Sequence, residues 1–341
     1  MPLQVKMYLA IFALLASTLA CSTLLGEDTP QTDTPESVVT NVPLTEEQPV
    51  TEEPISCPAI TDQIMEIATS GNDGGEENLL DSEIPLVTYT VSGDEISDPS
   101  FETVAANLQS EQNDSATQHE IWKYFSELIP ADQRQIISEY SIITDGQGGT
   151  LAAVSQTQSD ANLWSLQVDI ADSTDYNDLT FTLVHEFGHL LTLGPDQVPP
   201  SLAIFKNPDN DNIYQQEVSA CPQYFPGEGC ASPDSYINTF YDQFWVDIYE
   251  EWNKINLEEN EDIYNQRLDA FYNKYQEQFV TDYAVTNPEE DMAETWAFFV
   301  LGPKPAGNTI AEQKILFYYQ YPELVKLRAQ ILNNLCASFP K

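Results

Sequence analysis

Leu179-Thr180-Phe181-Thr182-Leu183-Val184-His185-Glu186-Phe187-Gly188-His189-Leu190-Leu191 is the stretch on which the reading of this chain turns. It holds two of the three histidines in 341 residues. Side chains four apart on an α-helix share a face, one turn from each other. A helix here therefore aims the imidazoles of His185 and His189 at one point, with Glu186 about a quarter turn round. The surroundings favour a helix: Leu183, Phe187, Leu190 and Leu191 cluster on the side away from the histidines, and Gly194-Pro195 supplies a stop. Two neutral imidazoles and one carboxylate suit Zn²⁺ and leave a fourth position for water. Glu186 is placed to hold that water and take its proton. The same five-residue spacing also arises by chance on core helices. Against that alternative, Leu179 to Leu193 is uncharged outside the motif, and core helices seldom bury His, Glu and His without partners for them.

The third ligand must come from elsewhere. The remaining histidine, His119 in Gln118-His119-Glu120-Ile121-Trp122, is expected on a surface helix and facing solvent. The better source is Thr286-Asn287-Pro288-Glu289-Glu290-Asp291-Met292-Ala293-Glu294-Thr295-Trp296-Ala297. Asn287 suits an N-cap and Pro288 the first helical position. Glu290 and Glu294 then share a face, beside Ala293 and Ala297, which let another helix come close. Glu290 is expected as the ligand. Glu294, one turn on, is expected to accept the free N–H of a ligand imidazole and fix its orientation. A competing reading takes Asn287 and Glu290 as a capping box and the acidic first turn as a response to the helix dipole. It leaves Glu294 unexplained in an otherwise apolar continuation.

These pieces together resemble the zinc metallopeptidases called gluzincins, and most closely the catalytic domain of the anthrax lethal factor type. That group pairs an HEFGH helix with a downstream Glu-x-x-x-Glu helix preceded by a tyrosine. Tyr283 stands seven residues before Glu290. The resemblance covers about residues 139–194 and 279–301. It implies a zincin-like fold, His185, His189 and Glu290 as zinc ligands, Glu186 as general base, Glu294 behind the ligands, and Tyr283 as a group that assists the oxyanion. The chain departs from the pattern in its spacing: His189 and Glu290 lie 101 positions apart, so residues 195–278 read as an insertion.

The N-terminus reads as an export signal. Lys6 precedes an uncharged run from Met7 to Leu25, and Ser17-Thr18-Leu19-Ala20-Cys21 is similar to a bacterial lipoprotein signal, with Thr18 where a leucine is expected. Cys21 would be acylated and would anchor the mature chain; an ordinary secreted protein or a single membrane helix are the alternatives. Residues 22–56 are rich in Thr, Pro, Glu and Ser and read as a disordered acidic tether. Four cysteines remain, an even number in an exported chain, which suggests two disulfides. Cys221 and Cys230 bracket a turn-rich run and are paired here, leaving Cys57–Cys336 to clasp the ends of a domain over 57–341. A Cys₄ zinc site is disfavoured because no CxxC knuckle is present. With 12 basic and 55 acidic residues the net charge is −43. Nucleic acid is thereby excluded as a partner, and so is anionic membrane except through the lipid anchor.

Leu86–Val91 reads as a strand and Gln118–Leu128 as a helix. Asp145-Gly146-Gln147-Gly148-Gly149 reads as a hairpin loop, since no phosphate-binding Lys-Ser/Thr pair follows. Trp164, Leu166, Val168 and Ile170 alternate with polar residues as a half-buried strand, placed where the substrate-holding edge of a zincin sheet would lie. Asn207-Pro208-Asp209-Asn210-Asp211-Asn212 has the alternating oxygens of a calcium loop but lacks the turn glycine and closing Glu of an EF-hand; structural Ca²⁺ is the minor expectation there. The aromatic stripe Phe240, Phe244, Ile248, Phe271, Tyr275 and Phe279 reads as core. Two helices, broken at Pro322, are expected over 310–335. The expected class is α+β, with a mostly antiparallel sheet and a helix-rich C-terminal half. The expected function is an exported, monomeric zinc metallopeptidase acting on a peptide or protein. The rival is a non-catalytic surface lipoprotein that binds a partner through its aromatic, acidic insertion and keeps only a relic metal site.

Overall fold

Strand-forming alternation fills the first half of the folded chain and helical spacing the second, and the two kinds of element are segregated accordingly. The computed structural model describes residues 56–69 and 83–340. The expected signal segment with Cys21, and all but the last residue of the expected tether, lie outside the described residues. Among the described residues no helix is long and apolar enough to cross a membrane.

Helix α1 (Pro58–Thr69) comes first, followed by the hairpin β1 (Ile84–Ser92) and β2 (Glu95–Phe101). After α2 (Gln109–Gln112) and α3 (Ser115–Leu128) come β3 (Ile137–Thr144), β4 (Ala152–Gln156) and β5 (Trp164–Asp169). The five strands make one mixed sheet of order β2-β1-β3-β5-β4, in which only β3 and β5 run parallel. The rest is helical: α4 (Tyr176–Leu193), α5 (Leu202–Phe205), α6 (Asp211–Ala220), α7 (Tyr236–Phe244), α8 (Tyr249–Asn256), α9 (Glu261–Tyr275), α10 (Pro288–Leu301), α11 (Ile310–Phe317) and α12 (Pro322–Ser338). The helix over 115–128, the solvent-facing His119 and the break at Pro322, which opens α12, agree with expectation.

The strand over 164–170 and the glycine run 145–149 depart from expectation. The strand over 164–170 is not an edge: β5 lies between β3 and β4, and the edge is β4. Nor is β5 half-buried. Its polar Asp169 is inside because its carboxylate accepts the N–H groups of Asp145 and Ala171, each at 2.7 Å. The glycine run 145–149 is not a hairpin loop, because β5 separates the strands it joins. The hairpin is β4–β5, and the run is a crossing connection whose Gly146, Gly148 and Gly149 all take positive φ. The stretch 207–212 forms the turn between α5 and α6, with Asn210 accepting the N–H of Ile213 at the helix start. Among the described residues no cluster of three acidic or histidine ligands forms there.

Both disulfides pair as expected, Cys57–Cys336 with a Cα–Cα distance of 5.7 Å and Cys221–Cys230 with 5.4 Å. They fit an oxidising, extracellular setting. The first ties α1 to α12. The aromatic stripe is core: Phe240, Phe244, Phe271 and Phe279 are buried, and Trp245, at the end of α7, packs edge-on against Trp252 and Phe279. Trp245 also donates its indole N–H to Asp291 (2.7 Å), which pairs with the fully buried Lys314 (2.5 Å). Residues 195–278 are thus welded to α10 by hydrogen bonds as well as by apolar contact.

Candidate metal centre

Two helices build the site. Helix α4 is buried almost all round, including His185, Glu186 and His189. Asp175 caps its start by accepting the N–H of Asn177. Its end falls at Leu193, where a Cβ on Gly194 would meet the carbonyl oxygen of Leu190 at 2.7 Å. Helix α10 begins as the sequence implies, with the side chain of Asn287 accepting the N–H of Glu290 (2.7 Å) and Pro288 in the first turn. The two helices touch through the glycine of the motif. A Cβ on Gly188 would lie 2.9 Å from Trp296 Cδ1 and 3.2 Å from Ala293 Cα. Only a bare Cα at 188 lets α10 come near enough to offer its carboxylates to the imidazoles.

That approach brings three donors from the two helices together. His185 Nε2 lies 3.0 Å from Glu290 Oε2 and 3.2 Å from His189 Nε2, and His189 Nε2 lies 3.3 Å from Glu290 Oε2. A tetrahedral zinc with bonds of about 2.0–2.1 Å has its ligand atoms roughly 3.3 Å apart. The three atoms therefore fit one face of such a tetrahedron, leaving the fourth corner to something other than these side chains. On its far side His185 directs Nδ1 to Glu294 Oε1 at 2.9 Å. Glu294 is held in turn by the hydroxyl of Thr281, which donates to Oε2 at 2.6 Å. With its Nδ1–H given to Glu294, a neutral His185 presents the bare lone pair of Nε2 to the centre. Capping and ligation are not alternatives at Glu290: its backbone N–H takes the cap while its carboxylate faces the histidines.

The charges follow from this crowding. Burial works against the charged form of Glu290, but the two imidazoles outweigh it and hold the carboxyl far below the usual range. Burial likewise works against a charged His185, and contact with Glu290 and Glu294 overrides it and raises the pKa. Glu186 is buried beside the trio. Burial raises its pKa, the histidines pull it back, and it accepts the N–H of Val154 on edge strand β4. Tyr283 packs at a tilt beside His185, with ring centroids 6.0 Å and planes 48° apart. The residue is 53% exposed, yet its hydroxyl is desolvated and bonds to Glu290, and that burial together with Glu290, Glu186 and Glu294 drives its pKa well up.

Two further carboxylates stand beside the trio and were not foreseen. Glu289, next to Glu290 on α10, accepts the phenol O–H of Tyr224 at 2.9 Å and is pushed up to about 8 by burial. Glu228 lies in the loop closed by Cys221–Cys230; burial pushes it up to about 7 while the charge of His189 pulls it back. The sequence signals only the loop's closure, not where it docks. A separate acidic group, Asp145, Asp169 and Asp172, brings three carboxylate oxygens within 4.8 Å of one another around the glycine run. It is occupied with loop amides: Asp172 accepts from Gly148 and Asp145 from Thr150.

Compared with protein families, curated proteins and solved structures, the chain matches none. The case for function therefore rests on this centre.

Proposed function

We propose that this chain is an exported zinc-dependent metallopeptidase of the gluzincin type, similar in its site to the lethal factor group. The observation that carries the proposal is the trio of His185, His189 and Glu290, mutually 3.0–3.3 Å apart, with Glu186 buried beside them and not needed to hold an ion. A site that only holds a structural metal closes with four protein ligands and has no use for a fifth, basic group.

A divalent zinc held by the three donors would supply a Lewis acid to the substrate carbonyl. The protein's own groups account for the rest. Glu186 holds the attacking water and takes its proton; its pKa, raised by burial, suits a base that later returns that proton to the leaving amine. Glu294 and Thr281 keep His185 in one tautomer. Tyr283, half exposed at the mouth and protonated under all ordinary conditions, is placed to donate to the developing oxyanion. Among the described residues strand β4 pairs with β5 alone, and its other side, next to Glu186, is where an extended peptide would add. The rival, partner capture through an aromatic insertion, loses support because Phe240, Phe244, Trp245, Trp252 and Phe271 of that insertion are spent on the core.

The test is hydrolysis of a mixed peptide pool. Cleavage should stop with chelator and return with Zn²⁺, while Glu186→Gln should keep about one zinc per chain and lose at least about a hundredfold in turnover, the scale of a general base. Undiminished turnover in that variant would show that Glu186 is not the base.

A further inference from the structure

Lys314 is fully buried, the only lysine so placed among the described residues, and the scheme above gives it no part. It projects from α11 into a cage of rings. Nζ lies 4.2 Å from the ring centroid of Phe279, 5.7 Å from that of Trp245 and 5.8 Å from that of Phe240. Its one hydrogen-bond acceptor among the described residues is Asp291 Oδ2 at 2.5 Å, on α10, and Asp291 is fully buried too. As an ion pair this contact is poorly satisfied. An ammonium has three N–H donors, and one acceptor must serve them all. Oδ2 also takes the indole N–H of Trp245 (2.7 Å), while Oδ1 is buried with no partner. Two charges taken out of water are stabilised by their attraction only when the remaining donors and acceptors are satisfied as well. The same atoms are better arranged for another outcome. A desolvated lysine amine is a nucleophile. Groups held in contact react with effective molarities of about 10⁵–10⁸ M. A neutral amide also costs far less to bury than two ions.

We propose that Lys314 and Asp291 join in an intramolecular isopeptide bond, a covalent modification that fastens α11 to α10. Nζ forms a bond to Cγ of Asp291, and the bond from Cγ to Oδ2 breaks. Two of the three ammonium protons leave with that oxygen as water, and Nζ keeps the third as the amide N–H. Oδ1, the oxygen without a partner, stays as the amide carbonyl. No oxidant, reductant or activating group enters, and the charge of the pair sums to zero before and after. Trp245, by donating to Oδ2, holds the carboxyl group in place and steadies the negative charge that this oxygen carries in the tetrahedral intermediate. The rings around Nζ keep water away, which favours the uncharged amine and withholds the reactant for hydrolysis. The bond closes residues 291–314 into a covalent loop within the domain that Cys57–Cys336 clasps at its ends. Unlike the two disulfides, it survives reductant. It owes nothing to the proposed peptidase function.

Peptide mapping tests it without zinc or substrate. Purified wild-type protein is unfolded, its disulfides are reduced and alkylated, and it is digested with trypsin. Trypsin cuts after Lys and Arg but not before proline, so Lys304-Pro305 is spared and Asp291 and Lys314 fall in one stretch, Tyr275 to Lys326. A free Lys314 yields two peptides, Tyr275–Lys314 and Ile315–Lys326. The bonded form should yield Tyr275–Lys326 uncut and lighter than its sequence by one water, with no single-break fragments from within 291–314. Lys314→Met should remove the water loss. Cutting after Lys314 in the wild-type protein would overturn the proposal, as would a water loss that persists in Lys314→Met. A succinimide at an aspartate also loses water, but it leaves Lys314 open to trypsin and so counts against the bond. The wild-type digest needs no substitution, so the test stands even if the variant misfolds.

Discussion

At His185 the two ring nitrogens face two different carboxylates, and this division of labour is what makes the site specific. Nε2 faces Glu290 at the centre and Nδ1 faces Glu294 behind it. Glu294→Gln would preserve shape and one hydrogen bond but remove the charge that makes the imidazole a stronger donor. Zinc affinity should fall about tenfold to a hundredfold, read by competition with a chromophoric chelator, with the fold unaltered by circular dichroism. Unchanged affinity would mean that Glu294 only fills space. Most of the chemistry at this scale could be read from the chain before folding, because the i, i+4 spacing of His185 with His189 and of Glu290 with Glu294 projects each pair to one side of its helix. Glu228 could not. Its position depends on how a disulfide-closed loop docks against Pro199–Ser201, which no local periodicity encodes.

The contact of α4 with α10 is where an element-level feature sets the chemistry. Gly188 costs helix stability relative to alanine, by about 1 kcal/mol. It is tolerated because the methyl group of alanine would press on Trp296, which is fully buried, and on the backbone of Ala293. Overpacking of that kind costs about 1–3 kcal/mol, which outweighs the propensity gain. Gly188→Ala should therefore lower the urea midpoint and weaken zinc binding together, because α10 carries Glu290 and Glu294 away from the histidines. A variant that gains stability and keeps its zinc affinity would contradict this view of the interface. The helices themselves were legible from caps and apolar spacing. The sheet order was not: alternation marks a strand but says nothing of its neighbours, so β5 could be mistaken for the edge that β4 forms. For the same reason Asp145–Gly149 looked like a hairpin turn when it is a crossing connection.

Over the whole molecule, acidic groups far outnumber basic ones, and several are buried near each other. Burial pushes Asp169 up to about 7, and Asp172 and Glu83 are raised by burial with the charge of Asp145 adding to it. A carboxyl whose pKa is raised by folding holds more protons folded than unfolded. Its contribution to stability is fully present below about pH 4, the unfolded value, and is lost as the pH climbs through about 7. Thermal stability of the metal-free protein should accordingly decline from pH 5 to pH 8 (about those values, set by the interval between the two pKa limits), and Asp169→Asn should flatten that decline. A slope unaffected by the substitution would place the linkage elsewhere.

The central claim is that one divalent ion sits between α4 and α10. Zinc K-edge absorption on stoichiometrically loaded protein tests it most directly. The account predicts two imidazole nitrogens, one carboxylate oxygen and one further light atom, all at about 2.0–2.1 Å, with the imidazole signal lost in His185→Ala or His189→Ala. Failure to bind one equivalent of zinc, or a coordination shell without two imidazoles, would contradict it.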